Sequence, residues 1–495
     1  GVPRALPNPG VWCWVNALLQ ALASINEPRW WAILWAACSA SLSEHATALF
    51  SAASRPPSTA RTKPALGAEG GDLLETLANA LCWINRGDGT AAWLPRELML
   101  ALQRALVAEC NLSTDAEQDV HEALLQVLEA VHAGLLRREV RACRAARRAG
   151  LAGCMPVADV RALLRPWPPA CALDWAAAAL HRRWFLELWQ GRFEETRVCR
   201  QCGFIKVDCR EPAQAFRCLT LGVAQAGSPF SSDVNTALQA TYGGGTWELL
   251  EDVLCACCSL EGILRHFRYE AARGSWSALQ ACRRFAGVER LQAAGVGGLL
   301  LPEAEQLLAF CPAGAPRPQL QRRPHQRKFR VARAPHVLAL HLRRLVFGPW
   351  GVTKSEAWMP YPLSLQLGSA ATTDPVDTAS TDKEETHRRM ALSCAYNLRA
   401  VVSHLGPASG GHFLAHRRWG AGASIASLLD IHLRLLPGAS TVHFVGIGSG
   451  HPGPSWVCAD DDRVAAAREE EALRLRCAYL MIYQQSQNDS RGSRK

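Results

Sequence analysis

Two short segments near opposite ends of a 495-residue chain constrain its fold more than any other feature. The first runs Asn8-Pro9-Gly10-Val11-Trp12-Cys13-Trp14-Val15-Asn16-Ala17-Leu18-Leu19-Gln20. A Pro-Gly loop leads there into an apolar helical run that opens on Cys13. The sulfur therefore lies at the positive end of the helix dipole, where thiolate, the form that attacks carbonyls, is favoured. The second segment runs Tyr396-Asn397-Leu398-Arg399-Ala400-Val401-Val402-Ser403-His404 and is followed by Gly410-Gly411-His412-Phe413. A histidine from a distant strand can complete a Cys/His couple without being close in sequence.

Composition narrows the class. The chain is too long for one simple core, which predicts two or three subdomains. Hydrophobic residues make up 49%, yet no stretch approaches the ~18 or more uncharged apolar residues of a membrane helix. The most apolar run, Trp30 to Ala40, reads as a buried helix. No signal-peptide pattern opens the chain, although it starts almost on the first segment, which leaves room for an upstream targeting or anchoring segment. Nineteen cysteines without an export signal, two pairs of them spaced Cys-x-x-Cys, favour a reducing compartment, cytoplasmic or nuclear, with metal and thiol chemistry. The net charge of +10 comes overwhelmingly from arginine, with only six lysines. Those charges are scattered and lack an aromatic-basic ladder, so biased codon usage is preferred over a nucleic-acid surface.

Residues 11 to 50 and 72 to 190 read mainly as helices, separated by a Ser/Pro/Ala/Gly-rich surface excursion from Ser51 to Gly71. Val120, Leu124, Val127, Leu128 and Val131 fall at helical spacing and predict an amphipathic helix over Gln118 to Leu136. The basic run Arg137 to Arg148 extends it as a solvated face. After Cys199 the pattern turns to β, with strands expected at 336–342, 398–403, 411–416, 442–447 and 478–483. Insertions are expected at Arg268 to Lys328, Gly368 to Arg389 and Gly420 to Ser455. Within them, Ala313 to Lys328 and Ala371 to Lys383 read as mobile, as does the polar tail after Gln484. A helical half followed by a β-rich half fits a papain-like α+β layout with the site in the cleft between them.

The two segments resemble the Cys box and His box of the ubiquitin-specific proteases. Further landmarks follow in that family's order: Gln118-Asp119-Val120-His121-Glu122, two Cys-x-x-Cys pairs, Trp456-Val457-Cys458-Ala459-Asp460-Asp461-Asp462, and Ala478-Tyr479-Leu480-Met481-Ile482-Tyr483. The resemblance implies a catalytic domain over residues 1–484. A helical thumb would occupy 1–190, β fingers with a zinc ribbon 191–330 and a β palm 331–484, with a tail from 485.

Each candidate residue has a plainer reading beside the functional one. Cys13 is the nucleophile by loop-to-helix placement and by its matching His segment, against an inert buried thiol. Asn8 would aim its side-chain amide at the oxyanion, or simply form the turn before Pro9. His412 matches the family's general base, and the competing His404 matches a framework position. Asp460, four residues after Trp456, would orient His412. The adjoining Asp461 is a second candidate, in the oxyanion region, though an aspartate run is commonly a polar turn. Asp119 and Glu122 share one helix face. They complement the helix dipole or, as the resemblance implies, border the channel for ubiquitin's basic C-terminal tail. Gly410 and Gly411 would let a substrate backbone pass closely. Cys199, Cys202, Cys255 and Cys258 supply four thiolates at zinc-ribbon spacing on separated hairpins, for a structural rather than catalytic zinc. Cys209, Cys218 and Cys257 are rivals, and a redox dithiol is the alternative.

The chain departs from the family where Trp12 replaces a small polar residue, Val11 an Asn and Ala17 a Ser. These changes crowd the nucleophile without removing a reacting group. The expectation is a thiol isopeptidase acting on ubiquitin and ubiquitinated proteins. The alternatives are a catalytically impaired ubiquitin-binding scaffold, a protease for a related modifier and, weakest, a zinc-ribbon nucleic-acid protein.

Overall fold

Helix α1 (Cys13–Ala23) is buried on every face, as expected of a run that offers no charged stripe to water. The computed structural model describes residues 6, 8, 12–37, 72–85, 95–113, 118–148, 170–208, 215–223, 233–242, 247–283, 320–348, 351–367, 394–408, 410–419 and 456–486. Around α1 lie α2 (Pro28–Ala37), α3 (Leu73–Ile84), α4 (Arg96–Cys110), α5 (Val120–Arg148) and α6 (Ala170–Trp189). Their ends follow local chemistry. Proline opens α2, where its missing N–H costs nothing. Asp72 caps α3 by accepting from the Leu74 N–H at 3.2 Å. Asn111 closes α4 in the left-handed conformation at φ 54°. In α5, Val120, Leu124, Val127, Leu128 and Val131 are all buried. The basic extension of α5 is more than a solvated face, because Arg137 pairs with Glu109 and Arg138 reaches Asp72.

Strand begins earlier than the sequence suggests, at Gly191. Strands β1 (Gly191–Cys199), β2 (Ile205–Asp208), β3 (Ala215–Phe216), β5 (Glu248–Leu254) and β6 (Arg322–Arg333) form one sheet in the order β2-β1-β6-β5, with β3 on β1. Residues 322–328, which read as mobile in the sequence, are strand. Their arginines do not drive the segment into solvent because carboxylates lie across the sheet: Arg327 Nε reaches Glu248 at 2.7 Å and Arg322 reaches Asp252 at 3.1 Å. Helices interrupt this β region at α7 (Val234–Tyr242), at α8 (Ala256–Ala272) and over 276–283. Leu260, Ile263, Leu264, Phe267, Ala278 and Ala281 close a small core of their own within the segment that includes the start of the expected insertion at Arg268.

The larger sheet runs β14-β13-β12-β11-β15-β7-β4, with β10 on β11. Its strands are β4 (Cys218–Gly222), β7 (Val337–Arg343), β10 (Ser364–Leu367), β11 (Cys394–Leu405), β12 (His412–Arg418), β13 (Trp456–Asp460), β14 (Arg463–Ala467) and β15 (Ala478–Gln485). Alternation within β7 separates two cores: Val337 and Ala339 face the helices, while Leu338, Leu340 and Leu342 face the opposite layer. Both faces are therefore covered, which accounts for the nearly unbroken apolar runs of β7 and β15. A separate hairpin, β8 (Leu345–Gly348) with β9 (Gly351–Lys354), stands beside the sheet.

Some boundaries differ from those expected. β4 lies between β3 and β5 in sequence but pairs in parallel with β7, so it belongs to the larger sheet. Gln484 and Gln485 end β15, where the Gln484 side chain exchanges two hydrogen bonds with the Asn26 backbone. The expected strand 442–447, the excursion 51–71, the segments 368–389 and 420–455 and the tail from 487 lie outside the described residues. Among the described residues, no helix is long and apolar enough to cross a membrane.

Candidate active site

Helix α1 packs against β12 and also touches β11 and β13. That packing brings Cys13, the first residue of α1, to the strand that opens on His412. Cys13 is 4% exposed and shares a buried cluster with Phe413.

His412 Nε2 lies 2.6 Å from Asp460 Oδ1. Asp460 closes β13, one strand over, and β12 and β13 are paired antiparallel. The carboxylate accepts from Nε2, which leaves Nδ1 as the basic nitrogen of the neutral ring. The three consecutive aspartates are told apart by position. Asp461 sits in the turn to β14 at φ 48°, a left-handed conformation that aspartate tolerates better than most residues. Its Oδ2 is 4.0 Å from His412 Nε2. The same carboxylate accepts from Asn8 Nδ2 at 2.6 Å and from Asn16 Nδ2 at 2.8 Å, and its backbone carbonyl accepts from the Leu6 N–H at 3.1 Å. Asn8 in turn accepts from the Trp12 N–H through Oδ1 at 3.0 Å. The loop before Cys13 is thus tied to the turn beside His412.

His404, the competing histidine, is buried and stacks on Phe413 at 4.5 Å between ring centroids, with the Tyr479 ring at 5.9 Å. A Cβ on Gly411 would come within 2.3 Å of both His404 Nε2 and the Leu405 carbonyl oxygen. Glycine is therefore required there by the protein's own packing, whatever passes along that edge.

Asp119 uses both carboxylate oxygens. Oδ1 accepts from the N–H groups of His121 (2.7 Å) and Glu122 (3.3 Å), capping α5, and Oδ2 accepts from the Tyr479 hydroxyl. Beside it His121 stacks on His341 at 4.0 Å. Burial, then the neighbouring His121, holds His341 down to about 3. Glu122 is exposed and bonds Gln126 at 3.2 Å.

The four paired cysteines converge. Cys199 Sγ is 3.9 Å from Cys258 Sγ, Cys202 Sγ is 3.6 Å from Cys255 Sγ, and all four sulfurs lie within 4.8 Å of one another. Bonds of about 2.3 Å to a tetrahedral zinc would put the sulfurs about 3.8 Å apart, so the donor set fits that ion. Burial pushes the Cys258 thiol up to about 12 and Cys255 higher still. Cys199 is held below the ordinary thiol value: burial opposes this, but the N–H groups of Cys202 and Gln201 donate to its sulfur. The expectation of two hairpins holds only for the first pair. Cys255 caps the N-terminus of α8, and Cys258 lies in that helix's first turn. Of the rivals, Cys218 is on β4 in the larger sheet, Cys257 packs beside the cluster, and Cys209 is outside the described residues. His412, Asp460 and Asp461 also lie close enough together for a metal, but their facing atoms already hydrogen-bond to one another and to Asn8 and Asn16.

Neither Asn16 nor Tyr479 stands out in the sequence as a site residue. The available signal for Asn16 is an amide in a helix whose only other polar side chain of that kind is Gln20.

A family profile described as ubiquitin carboxyl-terminal hydrolase matches residues 4–483, nearly the whole chain. The chain belongs to that family. By membership it is a cysteine-type deubiquitinating peptidase, a hydrolase of the thiol-protease class, with the mixed helix-and-sheet fold of that group. No curated protein sequence matches it. Solved structures similar to this hydrolase include the SAGA Ubp8/Sgf11/Sus1/Sgf73 DUB module bound to ubiquitin aldehyde, at 14% identity over 98% of this chain and 70% of the other, TM-score 0.48. A yeast SAGA DUB module carrying an Sgf73 variant is similar at 14% identity over 98% and 68%, TM-score 0.46.

Proposed function

We propose that this hydrolase cleaves the isopeptide or peptide bond after the C-terminal glycine of ubiquitin through an acyl-enzyme on Cys13. The observation that carries the reading is the 2.6 Å contact between His412 Nε2 and Asp460 Oδ1, on a strand packed against the Cys13 helix. Asp460 holds the ring with Nδ1 available to take the thiol proton and stabilises the imidazolium that results. The Cys13 thiolate attacks the glycine carbonyl carbon, and negative charge gathers on the carbonyl oxygen. Asn8 supplies a side-chain N–H to that oxyanion, a contact worth about 3–4 kcal/mol, with Asp461 keeping the amide in place. The imidazolium gives its proton to the departing amine as the C–N bond breaks. Water then gives a proton to His412 and attacks the thioester, releasing ubiquitin's carboxylate and regenerating the thiol.

Zinc bound by Cys199, Cys202, Cys255 and Cys258 would stabilise the fingers and take no part in the reaction. Glu122, Gly410 and Gly411 are assigned to the channel for ubiquitin's tail, with Asp119 fixing the end of the α5 helix there. A reducing location, cytoplasmic or nuclear, is part of the same reading and is supported by the two Cys-x-x-Cys pairs. The second reading, a ubiquitin-binding scaffold, draws on the burial of both Cys13 and Trp12, each 4% exposed. Hydrolysis of ubiquitin carrying a C-terminal fluorogenic amide separates the two. Turnover by the wild type and none by Cys13→Ala supports the protease. Binding without turnover supports the scaffold.

A further inference from the structure

Lysine is scarce in this chain, yet one lysine stands next to the catalytic strand and serves no role described so far. Lys354 ends β9, on the hairpin beside the larger sheet. Its Nζ donates to the His404 carbonyl at 2.8 Å and to the Gly406 carbonyl at 2.6 Å. Those carbonyls lie where β11 ends and the chain turns toward β12, with Leu405 opposite His412 in the ladder. The turn is tightly made. Gly406 is at φ +89° with the Gly411 Cα 3.2 Å from where its Cβ would be, and Gly411 has no room for a side chain against His404.

The root of the arm is itself fixed. Arg344 is 1% exposed. It donates through Nε to the Ala478 carbonyl at 2.7 Å and through Nη1 to the carbonyls of Ser355 (3.1 Å) and Ala357 (2.9 Å). The Ser355 N–H returns a bond to the Arg344 carbonyl at 2.8 Å. A buried guanidinium thus ties the residue after Lys354 to β15, and the ammonium ties the hairpin to the turn before His412. Three ammonium donors on a flexible stem suit two carbonyls converging on one point.

We propose that Lys354 is a positioning residue for hydrolysis: anchored through Arg344, it pins the carbonyls of His404 and Gly406 and so sets the turn that delivers Gly411 and His412 to the Cys13 helix. The proposal rests on His412 acting as the base. Small displacements of a reacting group cost rate steeply, so loss of the pin acts on turnover more than on substrate affinity.

The test compares Lys354→Met, Lys354→Arg and wild type in the full chain, using the fluorogenic ubiquitin amide and amide hydrogen exchange of the peptide spanning 405–412. For Lys354→Met, kcat falls about tenfold while KM changes less than about twofold. Exchange in the peptide quickens about tenfold, and Lys354→Arg recovers most of both. A kcat within twofold of wild type, or a loss confined to KM, overturns the proposal, the latter because it marks a substrate contact. If wild type does not turn over the ubiquitin amide, the protease reading has failed, and exchange alone judges the pin: an unchanged rate in Lys354→Met overturns it. Should Lys354→Met not fold, Lys354→Gln carries the same readouts.

Discussion

Asn16, one turn along the helix from Cys13, donates its side-chain amide to Asp461 Oδ1 at 2.8 Å. The other oxygen of that carboxylate holds Asn8, so one residue in the β13–β14 turn connects the Asn8 loop, the Cys13 helix and the neighbourhood of His412. Removing it takes a charged acceptor from two amides at a largely buried site, and loss of a hydrogen bond to a charged group costs about 1.5–3 kcal/mol. Asp461→Ala is expected to lower kcat about a hundredfold on the fluorogenic ubiquitin amide. Asn16→Ala is expected to lower it about tenfold, since Asn8 keeps its partner. A wild-type rate in Asp461→Ala would show that Asn8 needs no such support.

Replacing Cys199 or Cys258 with Ser is expected to release zinc and destabilise the fingers, because metal binding to four thiolates contributes directly to folding. Turnover of ubiquitin conjugates should suffer more than turnover of small esters, whose bond reaches Cys13 without the fingers. Elemental analysis that finds no zinc in the reduced wild-type protein would remove the metal from this picture.

The stacked pair His121 and His341 makes stability depend on pH. Burial, then His121, holds His341 down to about 3, against an ordinary value of 6.5, and burial also lowers His121 despite Asp119 and Glu122. Asp119, Arg343, Tyr479, Thr220 and Cys218 also lie near His341. A histidine with a depressed folded pKa takes its proton in the unfolded chain first. Its contribution is complete above about 6.5 and is lost as pH falls from there toward 3, at up to ~1.4 kcal/mol per pH unit for one proton. Urea midpoints should therefore drop between pH 7.5 and pH 5, and less in His341→Asn than in wild type. Equal slopes in the two proteins would mean that His341 is protonated in the fold.

How much the sequence discloses varies with the kind of interaction. The loop-to-helix placement of Cys13 and the order of α1 and β12 are legible because dipole and periodicity are local properties. The division between Asp460 and Asp461 is legible only through the family resemblance, by spacing from Trp456, because what sets Asp460 against His412 in the fold is the β12–β13 ladder and the left-handed turn. The β6 strand was hidden by its arginines, whose partners Glu248 and Asp252 come from β5, far away in sequence. Cys255 and Cys258 look like a second knuckle by spacing alone, although Leu260, Ile263, Leu264 and Phe267 at i, i+3, i+4 and i+7 already mark the helix that Cys255 caps.

Asp119 and Glu122 should now separate. Asp119 caps α5 and holds Tyr479, so Asp119→Ala is expected to cost about 0.5–2 kcal/mol of stability, the usual range for a lost cap. Glu122 is exposed, and Glu122→Lys should leave the melting temperature nearly unchanged while lowering kcat/KM on ubiquitin substrates about tenfold through charge opposition in the tail channel. Alkylation of Cys13 by iodoacetamide should be unaffected. Unchanged turnover by Glu122→Lys would place the tail elsewhere.

The decisive measurement is intact-mass analysis of the reduced protein after reaction with ubiquitin carrying a C-terminal electrophilic trap, followed by peptide mapping. One ubiquitin should add, at Cys13, with no adduct in Cys13→Ala and a rate lowered at least a hundredfold in His412→Ala but only severalfold in His404→Ala. No adduct on the folded wild-type protein, an adduct mapped to another cysteine, or a larger loss in His404→Ala than in His412→Ala would contradict the assignment of Cys13 and His412 as nucleophile and base.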